Sequence, residues 1–101
     1  MGYDGGMIVR IVKMTFDETK VDQFIAMTET LKPKIIAYDG CRYLDILQDV
    51  KQKNVLFSYS HWDSEEHLDH YRYSEFFKDT WRTLSQWFSD KPTAWSTIVV
   101  Q

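Results

Sequence analysis

Residues 42–62 have the sequence RYLDILQDVKQKNVLFSYSHW, and the topology of the chain can be worked out from this stretch. Residues 42–49 and 55–62 are two runs in which apolar or aromatic side chains alternate with polar ones, a pattern typical of strands. The residues between them, 50–54, are mostly polar and suit a turn. The stretch therefore predicts a hairpin of two antiparallel strands.

The residues before this hairpin predict a strand followed by a helix. Residues 7–16 are rich in apolar and β-branched types and contain no Gly or Pro, which favours a first strand. Apolar side chains then recur at helical spacing after Asp17, a candidate N-cap. We expect this helix to extend to about Tyr38 and to end at Gly40, a residue that accepts the left-handed backbone of a helix terminus. Pro33 removes one backbone donor within it and should kink or divide the helix.

The residues after the hairpin predict two short helices and a last strand. Asp63 as N-cap would place Glu66 at the third helical position, as in a capping box, and Ser64 competes for the same role. The apolar stripe of this segment shifts its phase near Ser74, so we expect two helices that meet there. Residues 94–100 are again apolar and β-branched and form the last predicted strand.

The order of these elements is βαββαβ, the split unit of ferredoxin-like α+β folds. Right-handed crossovers place the helices on one face of a four-stranded antiparallel sheet and leave the other face uncovered. Strands one and four nevertheless carry apolar side chains in both phases, whereas a sheet with one wet face should alternate more cleanly. We therefore expect a second copy of the chain to cover the open face, which makes a symmetric homodimer.

Length and charge exclude several classes of protein. The 101 residues suffice for one domain, which we assign to residues 7–101, with residues 1–6 as a flexible leader. A net charge of -3 without a basic cluster argues against binding to nucleic acid. A single cysteine, Cys41, excludes an internal disulfide, and no apolar run approaches the length of a membrane span. We therefore expect a cytoplasmic protein with no membrane partner.

Aromatic residues make up 16% of the chain, as 4 Trp, 6 Tyr and 6 Phe. Each of these side chains buries roughly 150–250 Å², so a chain of this length holds more ring surface than a small monomeric core absorbs. We expect a pocket, a partner chain or both to take the remainder.

The three histidines, His61, His67 and His70, lie close together in sequence. His67 and His70 share a helical face and, with Asp69 or His61, have the donor types that zinc or iron takes. The alternative is a solvated helical face, since acidic residues surround them. No cysteine pair or His-Glu-x-x-His spacing supports a metal, so we favour the solvated face and predict no metal site.

Aromatic and polar residues that suit a ligand site cluster around the third strand and the later helices. Tryptophan and tyrosine combine a broad apolar body with one hydrogen-bonding tip, which suits a planar phenolic or polycyclic ligand. His61 could act as a general base on a phenol or quinol hydroxyl, because imidazole titrates near neutrality. The alternatives are a plain surface histidine and, for each aromatic residue, packing in the core. The candidates are Tyr43, Tyr59, His61, Trp62, Tyr71, Trp81 and Trp87.

Motifs for bound cofactors are missing from the sequence. It contains no glycine-rich phosphate loop, no dinucleotide fingerprint and no nucleophile elbow. Cys41 has no histidine close in sequence, which favours a buried structural thiol. We expect no cofactor, neither flavin nor nicotinamide.

Several motifs together resemble the antibiotic biosynthesis monooxygenase family. They are the apolar first strand, the turn Gly40-Cys41-Arg42, the junction SYSHWDSEE at residues 58–66, the helix motif Tyr71-x-x-Ser74-x-x-Phe77 and a last strand that bears a tryptophan. The likeness spans roughly residues 7–100, and the junction is its most characteristic part. The resemblance implies a ferredoxin-like unit whose sheets pair into a dimeric α/β barrel, which agrees with the topology argued above.

The resemblance also implies a small dimeric monooxygenase, such as a quinol monooxygenase. It would oxidise a phenolic, quinol or polycyclic aromatic substrate with dioxygen and use neither metal nor flavin. The deprotonated, electron-rich substrate would itself reduce oxygen, while the protein supplies a dry pocket, a proton acceptor and aromatic walls. Trp62 matches the family's tryptophan at the end of strand three. Beside it we predict His61 as the catalytic residue and Tyr59, Tyr71 and Trp81 as substrate-binding residues.

Two alternatives stay open. The family includes proteins without established activity, so the chain could be a non-catalytic binding or stress-response module for a planar aromatic ligand. A neighbouring branch degrades haem with a histidine four residues after the phenylalanine of the Ser-x-x-Phe helix and an asparagine in strand one. This chain has Trp81 at the first position and no asparagine in residues 7–16, so we favour a monooxygenase without haem.

Overall fold

The structure, a computed structural model, describes residues 7–101 and has the predicted order of elements. The strands are β1 (Ile8–Thr15), β2 (Cys41–Gln48), β3 (Val55–Trp62) and β4 (Thr93–Thr97), and the helices are α1 (Val21–Ile36), α2 (Glu65–Arg72) and α3 (Glu75–Ser85). A single 3-10 turn, Glu18–Lys20, follows the predicted N-cap Asp17 and precedes α1. None of these helices is both long enough and apolar enough to cross a membrane. The predicted leader, residues 1–6, lies outside the described residues.

The strands form one antiparallel sheet in the order β2-β3-β1-β4. Val12 in the middle of β1 pairs with Ser58 of β3 on one side and with Ala94 of β4 on the other. The predicted hairpin is formed by β2 and β3, and its register shifts at an irregularity between Cys41 and Tyr43. This topology confirms the predicted ferredoxin-like α+β fold.

All three helices pack on one face of the sheet. A buried cluster at one end joins Met14 and Leu56 of the sheet to Phe24 of α1 and Leu84 of α3. Phe16 is fully buried in this cluster, and its ring stacks on that of Phe24 with 4.5 Å between the centroids. The buried members of a second cluster, at the other end of the sheet, are Ile8, Cys41, Trp62 and Leu68. The cavity described below is lined by residues from both clusters.

Serine residues cap both later helices. Ser64 is the N-cap of α2, and its Oγ accepts the backbone N–H of His67 at 3.2 Å. Asp63, the competing candidate, is engaged elsewhere, because its carboxylate accepts hydrogen bonds from Arg42 at 2.8 and 2.7 Å. Ser74 caps α3 in the same way, and the two helices meet there as predicted.

Helix α1 differs from the expectation for Pro33, because it continues through the proline without being divided. Pro33 lies in the last turn, so only one hydrogen bond is lost, and its own carbonyl accepts the N–H of Ala37 at 3.2 Å. Gly40 then turns the chain with a φ of 86°, as predicted. A Cβ atom at this position would also come within 2.3 Å of the His67 ring. Gly40 is therefore required both by its backbone conformation and by the close approach of helix α2.

Strand β4 is shorter than the sequence predicts, since it ends at Thr97 rather than at residue 100. Its last pair, Thr97 with Val9, lies one residue from the start of β1. The residues beyond Thr97 therefore have almost no strand left to pair with. They are apolar and exposed, and they are Ile98, Val99 and Val100.

Candidate active site

The helices and the sheet enclose a cavity of about 250 Å³. All four strands contribute to its floor, the three helices form its walls, and most of the lining side chains are apolar or aromatic. An apolar cavity of about 150 Å³ is enough to hold benzene. The space in this protein therefore suits a ligand with one or two fused aromatic rings.

Two serines in the middle of β3 make room for the cavity. Ser58 and Ser60 lie on the helix-facing side of the sheet, where a larger side chain would fill the space. Ser60 is buried, and its Oγ accepts the indole N–H of Trp62 at 3.0 Å. This bond satisfies the polar tip of the buried tryptophan and fixes the orientation of its ring.

Trp62 and Tyr71 form a flat part of the aromatic wall. Trp62 is almost fully buried, and its ring lies nearly parallel to that of Tyr71, with 5.1 Å between centroids and 19° between planes. Tyr71 also meets Phe77 edge-on at 5.1 Å. Burial is the main cause that raises the pKa of Tyr71 well above its ordinary value. Its hydroxyl therefore stays protonated at neutral pH and does not serve as a proton acceptor.

Trp81 extends this wall from helix α3. Its ring centroid lies 5.7 Å from that of Phe77 and 5.5 Å from that of Phe88, and the side chain lines the cavity. The structure therefore brings three of the predicted site residues, Trp62, Tyr71 and Trp81, to one cavity through a continuous series of ring contacts.

Tyr59 and His61 lie on the opposite, open face of the sheet. Successive side chains of a strand point to opposite faces, and Ser58, Ser60 and Trp62 all line the cavity. The two residues between them therefore point away from it, and neither is among the lining residues. The expectation that one pocket holds all five predicted site residues is wrong for a single chain, because the pleat of β3 divides them.

On the open face, Tyr59 and His61 form a small aromatic cluster with Tyr43. The Nε2 atom of His61 lies 3.2 Å from the Tyr59 hydroxyl, and the His61 and Tyr43 ring centroids are 5.2 Å apart. Trp87, the remaining candidate, packs against the core and does not line the cavity. The alternation along β3 is visible in the sequence and is the signal that separates the two groups. The functional roles of Tyr59 and His61 stay predictions.

Polar groups that the sequence did not single out also line the cavity. Arg10 on β1 faces the helices, and its Nη1 donates to the hydroxyl of Ser96 on β4 at 2.9 Å. Arg72, at the end of α2, lines the same space and donates from Nη1 to Asp69 at 3.3 Å. The sequence offered one signal for a polar group in the cavity. Arg10 is the only arginine in the apolar first strand, and it is in phase with the buried residues of that strand.

The histidines that suggested a metal have separate surroundings. His67 lies 2.7 Å from the Ser64 hydroxyl through Nδ1 and 3.5 Å from Asp39 through Nε2. His70 approaches the ring of Tyr38 edge-on, with 6.4 Å between centroids. Across residues 7–101, no group of three or more His, Cys, Asp or Glu side chains is arranged to hold a metal ion.

Cys41 is a free thiol buried in the second core cluster, as predicted. Burial raises its pKa, with a weaker opposing effect from a backbone hydrogen bond of Tyr43. The thiolate is the reactive form of cysteine, so this thiol is part of the packing and not a nucleophile.

A family model describes most of the chain. It is that of the antibiotic biosynthesis monooxygenases, and it matches residues 7–83. The chain belongs to this family. The matched residues run from β1 through most of α3, so they include nearly all the elements that form the cavity of this antibiotic biosynthesis monooxygenase domain.

Solved structures of other proteins share the fold. A protein from Nitrosomonas europaea, provisionally named an antibiotic biosynthesis monooxygenase, has a TM-score of 0.88 and 17% identity, over 99% of this chain and 96% of its own. A conserved protein from Methanosarcina mazei has a TM-score of 0.86 and 20% identity, over 92% of both chains. A protein from Mycobacterium tuberculosis has a TM-score of 0.86 and 14% identity, over 95% of this chain and 97% of its own. At such identities the likeness shows a common fold. No curated protein matches the sequence.

Two positions of this monooxygenase-family domain bear on its chemistry. Trp62, which the resemblance pairs with the family's tryptophan at the end of the third strand, lines the cavity. Trp81 lines it as well and stands where the resemblance places the histidine of the haem-degrading branch. An indole nitrogen donates its hydrogen and offers no lone pair to iron. The residues of this chain therefore do not fit a haem held in that way.

Proposed function

We propose that this chain is a small cytoplasmic monooxygenase that oxidises a phenolic, quinol or polycyclic aromatic substrate with dioxygen, without a metal, flavin or other cofactor. The observation that carries the proposal is the aromatic wall of the cavity, with the stacked pair Trp62 and Tyr71 at its centre. Membership of the monooxygenase family supports the class of reaction. The cavity volume of about 250 Å³ favours one or two fused rings.

The proposed reaction balances without an external reductant. In a phenol oxidised to a quinone, the ring carbon para to the hydroxyl exchanges its C–H bond for a C=O bond. One atom of dioxygen enters the ring, and the other leaves as water with the hydrogens of the C–H and O–H groups. The substrate supplies all four electrons. The protein holds the ring, excludes water and shields the intermediates.

Trp62, Tyr71 and Trp81 are the substrate-binding residues in this proposal. Their rings offer flat apolar faces to a planar ligand, and an aromatic contact contributes about 0.5–1.5 kcal/mol beyond its buried area. The proposed catalytic role of His61, with Tyr59 beside it, requires chemistry on the open face of the sheet. The two faces can be tested separately.

Oxygen uptake with naphthol-type and naphthoquinol-type substrates tests the proposal. The expected result is uptake above the autoxidation rate measured without protein. Trp81→Ala should lower the rate about tenfold, because one ring contact to the bound substrate is lost. Tyr73→Ala is the matched control, since Tyr73 is an exposed aromatic residue outside the cavity. Uptake that never exceeds autoxidation for any quinol or phenol would overturn the proposal.

His61→Ala is the second arm of this experiment. A cavity-based reaction predicts that this variant keeps its activity, because His61 does not line the cavity. Loss of activity in His61→Ala together with full activity in Trp81→Ala would move the reaction to the open face.

We also propose that the chain works as a homodimer that buries the open face of the sheet. Tyr43, Leu47 and Trp95 lie on this face, and each is nearly half exposed. Lys13 and Asp45 on the same face carry opposite charges, which suits pairing of the face with a copy of itself. Exposed apolar patches of this kind are typical of protein interfaces.

A non-catalytic binding module is the second candidate function. The observation that favours it is that no Asp, Glu or His is found among the described residues that line the cavity. Saturable quenching of tryptophan fluorescence by a naphthalene derivative, without turnover, would support this function. Absence of quenching by every planar ligand tested would count against it and against the monooxygenase.

Titration with haemin tests the haem alternative. Because Trp81 offers iron no ligand, we expect no sharp Soret band at one equivalent per chain. Such a band, retained in Trp81→Phe, would show that haem binds through other residues and would contradict the argument from Trp81.

A further inference from the structure

The charged residues that line the cavity are all cationic in the part of the chain that the structure describes. They are Arg10 from β1, Lys32 from α1 and Arg72 from α2. Lys32 has a carboxylate partner, because its Nζ lies 3.4 Å from Asp45. The two arginines come from elements far apart in sequence and form a polar end in an otherwise mostly apolar and aromatic space.

Arg10 and Arg72 are close enough to influence each other. Burial is the main cause that lowers the pKa of Arg10, Arg72 lowers it further, and Asp69 acts in the opposite direction. Asp69 Oδ1 lies 3.3 Å from Nη1 of Arg72. Two positive charges thus face one negative charge, so a further anion would be stabilised between the arginines.

Both arginines have further N–H donors available to a ligand. A guanidinium carries five N–H donors, and Arg10 uses Nη1 on the neutral hydroxyl of Ser96 at 2.9 Å. Arg72 uses Nη1 on Asp69, whereas its Nε is buried and has no acceptor among the described residues. A buried donor without an acceptor costs free energy. An anionic ligand in the cavity would supply the missing acceptor.

We propose that the polar end of the cavity binds the anionic oxygen of an aromatic ligand between Arg10 and Arg72, while the ring packs against Trp62 and Tyr71. This inference rests on the proposed function and names the substrate class of the same cavity, an aromatic oxyanion. The oxyanion is either the carboxylate of an aromatic acid or the phenolate of a phenol. The planar, always charged guanidinium suits such oxygens better than a lysine does.

For a phenol, the two arginines would replace the missing general base. Positive charge stabilises the phenolate relative to the neutral phenol and so lowers the pKa of the bound substrate. The proton then leaves to solvent, and no side chain of the cavity has to accept it. The phenolate that remains is the electron-rich form that the proposed reaction with dioxygen requires.

Calorimetric binding of 2-naphthoate and 2-naphthamide at neutral pH tests the proposal, because the two ligands share a shape and differ in charge. We expect naphthoate to bind about tenfold more tightly, which corresponds to about 1.4 kcal/mol. Arg10→Met and Arg72→Met should each reduce this preference to about twofold or less. Arg82→Met is the matched control, since Arg82 pairs with Asp79 on the exposed side of α3.

A pH titration of bound 4-nitrophenol, followed by the absorbance of its phenolate, tests the second source of the oxyanion. The pKa of the bound phenol should lie below that of the free phenol in the wild type and in Arg82→Met. It should return toward the free value in Arg10→Met and Arg72→Met. Thermal unfolding checks that each variant folds, and the uncharged Arg10→Gln and Arg72→Gln replace any variant that does not.

The outcomes separate the alternatives. A preference for naphthoate without a lowered phenol pKa assigns the site to aromatic acids. A lowered phenol pKa extends the site to phenolates. Equal binding of naphthoate and naphthamide with an unshifted phenol pKa, or no binding of any probe, would overturn the proposal. Neither measurement depends on turnover, so a charge preference without oxygen uptake would refute the monooxygenase and leave this site intact.

Discussion

Ser64 caps helix α2 because its neighbour Asp63 is engaged elsewhere. Both residue types are good N-caps, but the Asp63 carboxylate accepts two hydrogen bonds from Arg42. The Ser64 hydroxyl accepts the backbone N–H of His67 and also lies 2.7 Å from its ring Nδ1. The contact of Asp63 with Arg42 of β2 thus decides which of two residues, both suitable as N-caps by type, caps the helix.

Replacing Ser64 by alanine removes this cap. We expect Ser64→Ala to lower the free energy of unfolding by about 1 kcal/mol, the usual cost of losing an N-cap. Urea unfolding measures the change. Ser85→Ala is the control, because Ser85 is an exposed serine at the C-terminal end of α3 and caps no helix N-terminus. Equal effects of the two substitutions would contradict the assignment of Ser64 as the cap.

At the scale of elements, the pair Arg42 and Asp63 joins the start of β2 to the junction between β3 and α2. The hydrogen bond from Arg42 is the main cause that holds the pKa of Asp63 below its ordinary value. A carboxylate whose pKa is lower in the folded state stabilises the protein above the ordinary aspartate pKa. This contribution is lost as the pH falls through the lowered pKa.

Unfolding free energies measured over a range of pH test this link. The stability difference between wild type and Asp63→Asn should be present at neutral pH and should shrink below about pH 4, where aspartate takes up a proton. Arg42→Met removes the partner and should remove the same part of the pH dependence. A difference that is independent of pH would show that the ion pair does not contribute.

In the whole molecule, the open face of the sheet has no covering element within residues 7–101. Helices occupy the other face, whereas Tyr43, Tyr59, His61 and Trp95 stand on this one. The excess of aromatic residues in the composition is therefore divided between a cavity on one side of the sheet and an exposed surface on the other.

Light scattering at micromolar concentration tests the proposed dimer. We expect a mass of twice 12.1 kDa for the wild type. Trp95→Asp places a charge on the open face and should give the monomer mass, whereas Val50→Asp, in the exposed hairpin loop, should not. A wild type with the mass of one chain would rule out the dimer at this concentration.

Local signals in the sequence were enough to predict the order of the elements. The cap at Asp17, the left-handed turn at Gly40, the hairpin and the division at Ser74 each depend on a few neighbouring residues. The helix is not divided at Pro33, which lies in the last turn, and it ends three residues later. The handedness of crossovers then leads from the element order to the sheet.

Local residue patterns were enough to predict the ferredoxin-like topology and to name Trp62, Tyr71 and Trp81, together with Tyr59 and His61, as site candidates. The alternation along β3 places Tyr59 and His61 on the face opposite Trp62, but which face borders the cavity depends on where the helices pack. The packing of α2 over the sheet also brings Arg10 and Arg72 to the same cavity. Burial and charge depend on which elements pack together, and no local pattern of residues shows that Arg10 of β1 and Arg72 of α2 border one cavity.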